Sequence, residues 1–138
     1  FMGIRESRVT VGKYVLTAGD ILACRRFDDA VAVASYPVDL HHPKGGDCTL
    51  EYCGDCYDIP YRVLVPAKVE NLLVAGRCLG AEFLAQSSLH IMPCCRSAGE
   101  AAGIAAALAL DGKMPARDVD GRKVRKIMED RGAVYAEV

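Results

Sequence analysis

From Pro93 to Leu110 the chain reads PCCRSAGEAAGIAAALAL, with Gly112 and Pro115 just beyond. Alanine loses no side-chain entropy in a helix, and a proline in the first turn lacks only an amide that would have had no partner there. The stretch therefore predicts one long helix, closed by Gly112 and Pro115. Gly99, Gly103 and Ala107 recur at four-residue spacing with Ala102 and Ala106 beside them, so one face has almost no side chains. Such a face lets another backbone approach closely, and Gly103 is expected where the helix touches a strand.

Met92-Pro93-Cys94-Cys95 opens this helix with no Ser, Thr, Asp or Asn directly before the proline to cap it. The amides of Cys94, Cys95 and Arg96 are expected to be free donors at the positive end of the dipole. A negative oxygen or water can satisfy them.

Upstream, Val9 to Leu16 reads as a strand pair or a strand bulged at Gly12. Thr17-Ala18-Gly19-Asp20 is close to a capping box and predicts a short helix through about Cys24. Asp28 to Ala34 fits a second short helix or a buried strand, stopped by Pro37. His41 to Tyr57 shifts to His, Gly, Asp and Cys and reads as a long irregular excursion. Tyr61 to Val65, between Pro60 and Pro66, reads as a strand, and Asn71 to Ala75 as a central strand buried on both faces. A last helix is capped by Asp120, carries Val124, Ile127 and Met128 as one apolar stripe, and ends at Gly132.

The 138 residues are 51% hydrophobic and 25% charged, with Lys plus Arg 17 against Asp plus Glu 18, which describes one folded domain and no field of one sign. A general nucleic-acid role is excluded on that balance. The longest uncharged apolar run, Ala101 to Leu110, is about half the ~20 residues that span a bilayer. The charged start, Gly3-Ile4-Arg5-Glu6-Ser7-Arg8, has no apolar core of an export signal, so a cytoplasmic setting is expected. The opening Phe1, which runs at once into a β-like segment, gives the look of a piece of something longer.

Seven cysteines, two of them adjacent at Cys94 and Cys95, make a fully paired disulfide framework awkward. Cys48, Cys53 and Cys56 match the spacing of a plant-type two-iron cluster, and with His41, His42 or Cys78 they form a possible four-ligand zinc set. Inert loop thiols and a redox disulfide are the other readings. A thioredoxin-like use of Cys53-Gly54-Asp55-Cys56 is disfavoured, since Pro60 follows too soon for a helix start. A metal-stabilised interaction module without catalysis is the matching alternative function.

Tyr61-Arg62-Val63-Leu64-Val65-Pro66, Val69-Glu70-Asn71-Leu72-Leu73-Val74-Ala75-Gly76-Arg77-Cys78, Ile91-Met92-Pro93-Cys94-Cys95 and Ala98-Gly99-Glu100-Ala101-Ala102-Gly103 follow one another in a specific order and spacing. They resemble the C-terminal part of the FAD-dependent oxidoreductase family related to the flavoprotein subunit of heterodisulfide reductase. Gly3 to Arg8, Gly12, the helix start at Thr17 and Tyr36-Pro37-Val38-Asp39-Leu40-His41 share the resemblance, which covers nearly the whole chain. The family begins its flavin fold with an N-terminal GxGxxG unit, and no such fingerprint occurs here.

The resemblance implies an α/β chain, a partial flavoprotein fold of the two-dinucleotide-binding type with a short mixed sheet, the long Ala/Gly-rich helix and a C-terminal helix. Residues 1–138 are then a single C-terminal fragment, with 1–66 the substrate-side sheet portion holding the Cys-rich loop 41–57, and 67–138 the flavin-facing strand and helices. It implies FAD as cofactor, with Gly76 and Arg77 near its ribityl and pyrophosphate region and Met92, Pro93, Cys94 and Cys95 near the pyrimidine edge. An amide cluster at that edge favours the reduced ring, whose C2 carbonyl gains negative charge. Where the family has an Arg, a Thr and a His, this chain has His90, Cys94 and Phe83. His90 and Arg62 are the candidates for substrate chemistry, with a structural role the alternative for both, and Arg5 and Arg77 raise the same question. The expected partners are the N-terminal FAD-binding domain and a small-molecule substrate, and the chain by itself is expected to be inactive and to self-associate.

Overall fold

The computed structural model describes residues 8–41 and 48–135. Helix α1 (Ala18–Leu22) starts at the expected capping box: the Asp20 amide donates to Thr17 Oγ1 at 3.2 Å and the Thr17 amide donates to Asp20 Oδ2 at 3.0 Å. Strand β1 (Ala30–Ala34) resolves the choice at 28–34 in favour of a strand, buried along nearly its whole length. It pairs antiparallel with β4 (Tyr57–Pro60), with a register irregularity between Ala30 and Ala32. β2 (Val38–His41) and β3 (Cys48–Glu51) form a second antiparallel pair. Then follow α2 (Phe83–Leu89), α3 (Met92–Asp111) and α4 (Gly121–Asp130).

Several expectations are corrected. The sheets are two separate antiparallel pairs among the described residues, not one short mixed sheet. The excursion at 41–57 holds all of β3, so part of it is regular. Tyr61–Leu64 is a 3-10 turn, and the strand lies one step earlier, at β4. Asn71 to Ala75 is irregular and joins no strand, and Asn71 and Leu72 are exposed. Its backbone tie is the Val74 amide donating to the Leu64 carbonyl at 2.8 Å.

Val9 to Leu16 forms no strand either, because its hydrogen bonds are shared between two neighbours. Lys13 donates to the Val65 carbonyl at 2.8 Å, while Thr10 and Leu16 donate to the carbonyls of Cys78 and Gly80 at 2.9 and 3.0 Å. Glycine is needed where these backbones cross. A Cβ on Gly12 would lie 2.7 Å from the Tyr14 carbonyl oxygen, and one on Gly80 would lie 2.9 Å from the same atom.

The core joins both sides of the β1–β4 pair. Val31, Ile59, Val63 and Leu64 are fully buried with Leu89, Ala98 and Ala101 from the helices. On α4 the stripe is as expected: Val124 and Met128 are buried, Ile127 is half-buried, and Asp120 accepts the Arg122 amide at 3.0 Å. Gly132 has φ +96°, the left-handed value expected after a helix end.

Asp20 is a buried carboxylate that accepts four hydrogen bonds. Burial pushes its pKa up, but the Thr17 amide, Arg25 at 2.8 Å, and the Thr17 and Tyr14 hydroxyls overbalance that and hold it below the ordinary value. A depressed folded pKa contributes stability that is present above the unfolded value of ~4 and lost as pH falls through the folded one. Asp20→Asn should therefore lower the melting temperature at neutral pH, with the gap to the parent closing in acid below about pH 4. Melting curves from pH 7 to pH 2 test this, and a pH-independent gap would refute it.

Candidate functional site

The long helix starts where the sequence places it, with Pro93 in its first turn and Ile91 as an N-cap whose side chain makes no capping bond. Only part of the expected donor cluster exists. Cys95 donates its amide to the Ile91 carbonyl at 3.2 Å, and Arg96 falls inside the regular ladder. Met92 and Cys94 keep the amides with no partner among the described residues. They stand at the positive end of a 20-residue helix.

Beside this start lies a cleft of about 270 Å³, lined by Val33, Ala34, Ser35, Tyr36 and Pro37 on one side and Ile91, Pro93 and Cys94 on the other. β1 ends at Ala34, so its last residues form one wall. The other side of the same helix start is built by Gly76–Cys78, a single 3-10 turn. Gly76 has φ +81°, a backbone that other residues adopt only with strain. Arg77 reaches across to donate its Nε to the His90 carbonyl at 3.3 Å. His90 also meets the Tyr36 ring edge-on, centroids 6.1 Å apart. Gly76, Arg77, His90 and the Met92–Cys95 segment are thus neighbours, drawn from three stretches of the chain.

The thiols here are poor nucleophiles. Burial pushes Cys94 up to about 12, aided by Cys95. Burial also raises Cys95, against the pull of Arg77. Neither forms a thiolate readily near neutral pH.

Gln86 is a site residue that the sequence reading missed. It is 1% exposed, donates its Nε2 to the Arg77 carbonyl, and leaves Oε1 without a partner among the described residues. It fixes the Gly76–Cys78 turn from behind. An amide inside the otherwise apolar start of α2 was the available signal. Tyr57, Ser88 and the Tyr36 carbonyl form a second support, with 2.5 Å from Tyr57 Oη to Ser88 Oγ and 2.5 Å from Ser88 Oγ to the carbonyl oxygen. This links β4 and α2 to the wall of the cleft.

The expected close contact at Gly103 is absent and the expectation is corrected. α3 buries Cys94, Ala98, Ala101, Ile104, Ala105 and Ala109 against β1 and α4, while Gly99, Gly103, Ala106 and Ala107 are exposed. A Cβ on Gly99 or Gly103 would meet nothing within 4 Å. The smooth face is open among the described residues, and a further cleft of about 650 Å³, lined by Ala106, Leu110, Met114 and Asn71, continues it toward the irregular segment that starts at Asn71.

Arg62 lies elsewhere. Its Nε and Nη2 clasp Asp29 at 2.9 and 3.0 Å, and its guanidinium stacks over Tyr14 and Phe27 at 5.2 and 5.7 Å. It lines a different cleft of about 460 Å³ with Lys13, Arg117 and Arg122, so it is not brought together with His90.

Of the cysteine triplet, Cys53 donates to the Asp55 carbonyl at 2.9 Å and Cys56 accepts from Arg26 at 3.1 Å. The side chain of Cys48 and those of His41 and His42 lie outside the described ones, as does Arg5. Among the described residues no group of three or more His, Cys, Asp or Glu is placed to hold a metal, so the zinc and iron-sulfur readings gain no support. No helix among them is long and apolar enough to cross a membrane.

A family model described as FAD dependent oxidoreductase matches residues 1–128. No curated protein and no solved structure matches the chain.

Proposed function

The chain belongs to the FAD dependent oxidoreductase family, and from that premise we propose that it supplies the flavin-facing half of a cofactor site in an oxidoreductase acting on a small molecule. The observation that carries this reading is the start of α3, where unpartnered amides, a positive helix end and a cleft coincide. FAD, when bound, supplies two-electron acceptance of a hydride. The chain's own part is electrostatic: the Met92 and Cys94 amides favour negative charge beside Pro93, and they need no reorganisation because the helix already holds them. Cys94 and Cys95 serve here through backbone and packing.

In the same proposal Gly76 and Arg77 line the ribityl and pyrophosphate side, and the Gln86 amide keeps that turn in place. His90 is the substrate-facing candidate. Arg62 is assigned a structural role, because both ends of its fork are already engaged by one carboxylate. The narrower kinship with the heterodisulfide reductase flavoprotein belongs to this proposal too, as does a cytoplasmic setting.

A GxGxxG unit is absent from this sequence, so the phosphate-binding half is proposed to come from an N-terminal FAD-binding domain that packs on the smooth face of α3. Val69, Leu72, Leu110 and Met114 lie exposed around it. Left uncovered, such a surface is expected to drive self-association.

Gly103→Leu separates this reading from an open surface helix. In the chain alone the substitution meets open space and replaces a helix-interior glycine, so stability should rise by about 0.5–1 kcal/mol. Joined to the FAD-binding domain, the same leucine should block docking and strip flavin from the purified protein. Melting temperature reads the first arm and flavin absorbance per chain the second. Full flavin content in the joined Gly103→Leu protein would sink the proposal.

A further inference from the structure

The cleft of about 460 Å³ that holds Arg62 belongs to no part of the site above, and four stretches of the chain close around it. Lys13 comes from the segment before α1, Asp28 and Asp29 from the approach to β1, Arg62 from the 3-10 turn after β4, and Arg117 and Arg122 from the entry into α4.

Part of its charge is already matched inside the wall. Arg62 grips Asp29 through Nε and Nη2, and Arg122 grips Asp120 through the same two nitrogens at 3.1 Å each, so each fork is closed by one carboxylate. Three groups are left over. Lys13 spends one of its three ammonium protons on the Arg117 carbonyl and makes no ion pair among the described residues. Among the same residues Arg117 pairs with Glu70 alone, an exposed carboxylate 3.6 Å away that does not line the cleft. Asp28 is exposed, and its carboxylate takes part in no hydrogen bond or ion pair among the described residues.

The rest of the lining is largely apolar. Val65 and Val119 are buried behind it, and Tyr61 offers only its ring, because its hydroxyl donates to the Ala116 carbonyl at 3.2 Å. A ligand that matches this wall carries one negative group for Lys13 and Arg117, one positive group for Asp28, and an apolar body. A phosphate dianion fits worse, since it would meet the unmatched Asp28 with nothing to offset the repulsion. A plain carboxylate leaves Asp28 without a partner, and a plain amine leaves Lys13 without one.

We propose that this cleft binds a free α-amino acid with an apolar side chain, its carboxylate on Lys13 and Arg117 and its ammonium on Asp28. The site stands on this arrangement of charges and is independent of the flavin reading.

The test titrates L-leucine into the full chain by isothermal titration calorimetry, beside two probes that each lack one charge: isocaproate, without the ammonium, and isoamylamine, without the carboxylate. L-Leucine is expected to saturate one site per chain, and each single-charge probe to bind at least about tenfold more weakly. Asp28→Asn should bring L-leucine down to the level of isocaproate and leave isocaproate no weaker. Lys13→Met should weaken L-leucine and isocaproate and spare isoamylamine. Absence of saturable heat with L-leucine, equal affinity for L-leucine and isocaproate, or tighter binding of inorganic phosphate overturns the proposal, as does L-leucine binding that neither variant changes. The probes on the parent chain decide the matter even if a variant fails to fold.

Discussion

Asp58→Ala is expected to lower the unfolding free energy by about 3 kcal/mol, through two losses of unequal size. The Asp58 side chain is fully buried, where it accepts the Phe27 amide at 2.9 Å and the Arg26 Nη1 at 3.3 Å. Removing the carboxylate leaves a buried amide without a partner, which costs about 1–3 kcal/mol. The orphaned guanidinium costs less than the 3–5 kcal/mol of a deeply buried broken pair, because Arg26 is 19% exposed and keeps Asp55 at 3.3 Å. Asp58→Asn separates the two contributions, since its carbonyl still accepts from Phe27 while the charge is gone. Urea unfolding should show the midpoint falling in the order parent, Asn, Ala with an unchanged slope. A loss under about 1 kcal/mol for the alanine variant would mean that water replaces the carboxylate.

Asp58 also shows why the β1–β4 pair was hard to see. The run Tyr57-Asp58-Ile59-Pro60 has an acidic residue in its middle and a proline at its end, so its composition argues against a buried strand. What makes it one is the Arg26 side chain and the Phe27 amide, both supplied from the other side of the hairpin-like excursion. Tyr61 to Val65, apolar and β-branched, attracts the strand assignment by propensity, yet its backbone bonds turn back on themselves, Val65 donating to the Arg62 carbonyl at 3.4 Å. Tertiary bonding overrides propensity at both places.

Helices with a start signal in their own sequence were legible, whereas α2, whose N-cap Glu82 makes no side-chain capping bond, was not. α1, α3 and α4 each carry their start signal within a few residues, as Thr17 with Asp20, Pro93 and Asp120. The α3 start at the candidate site was legible for the same reason, because it is local. The count of free amides was not, because Ile91 accepts from Cys95. Nor was the open face of α3, since a stripe of small residues looks the same whether its neighbour is within the described residues or not. The bond from Gln86 to the Arg77 carbonyl is likewise a fact that spacing does not encode.

The chain alone is expected to bind FAD weakly, and the magnitude follows from which contacts it lacks. Its candidate donors are the amides of Met92 and Cys94 and the turn at Gly76, all on the side proposed to face the flavin. In dinucleotide-binding folds much of the affinity comes from a pyrophosphate at a Gly-rich helix start and a ribose hydroxyl on an acidic residue. Hydrogen bonds to charged groups contribute about 1.5–3 kcal/mol each, and every ~1.4 kcal/mol is tenfold in affinity. Losing even two of them weakens binding by roughly a hundredfold to ten-thousandfold. Titrating FAD into the purified chain while following flavin fluorescence should give no saturation in the low micromolar range, and addition of the FAD-binding domain should restore it. Stoichiometric submicromolar binding by the chain alone would show that it holds a complete cofactor site without the Gly-rich turn.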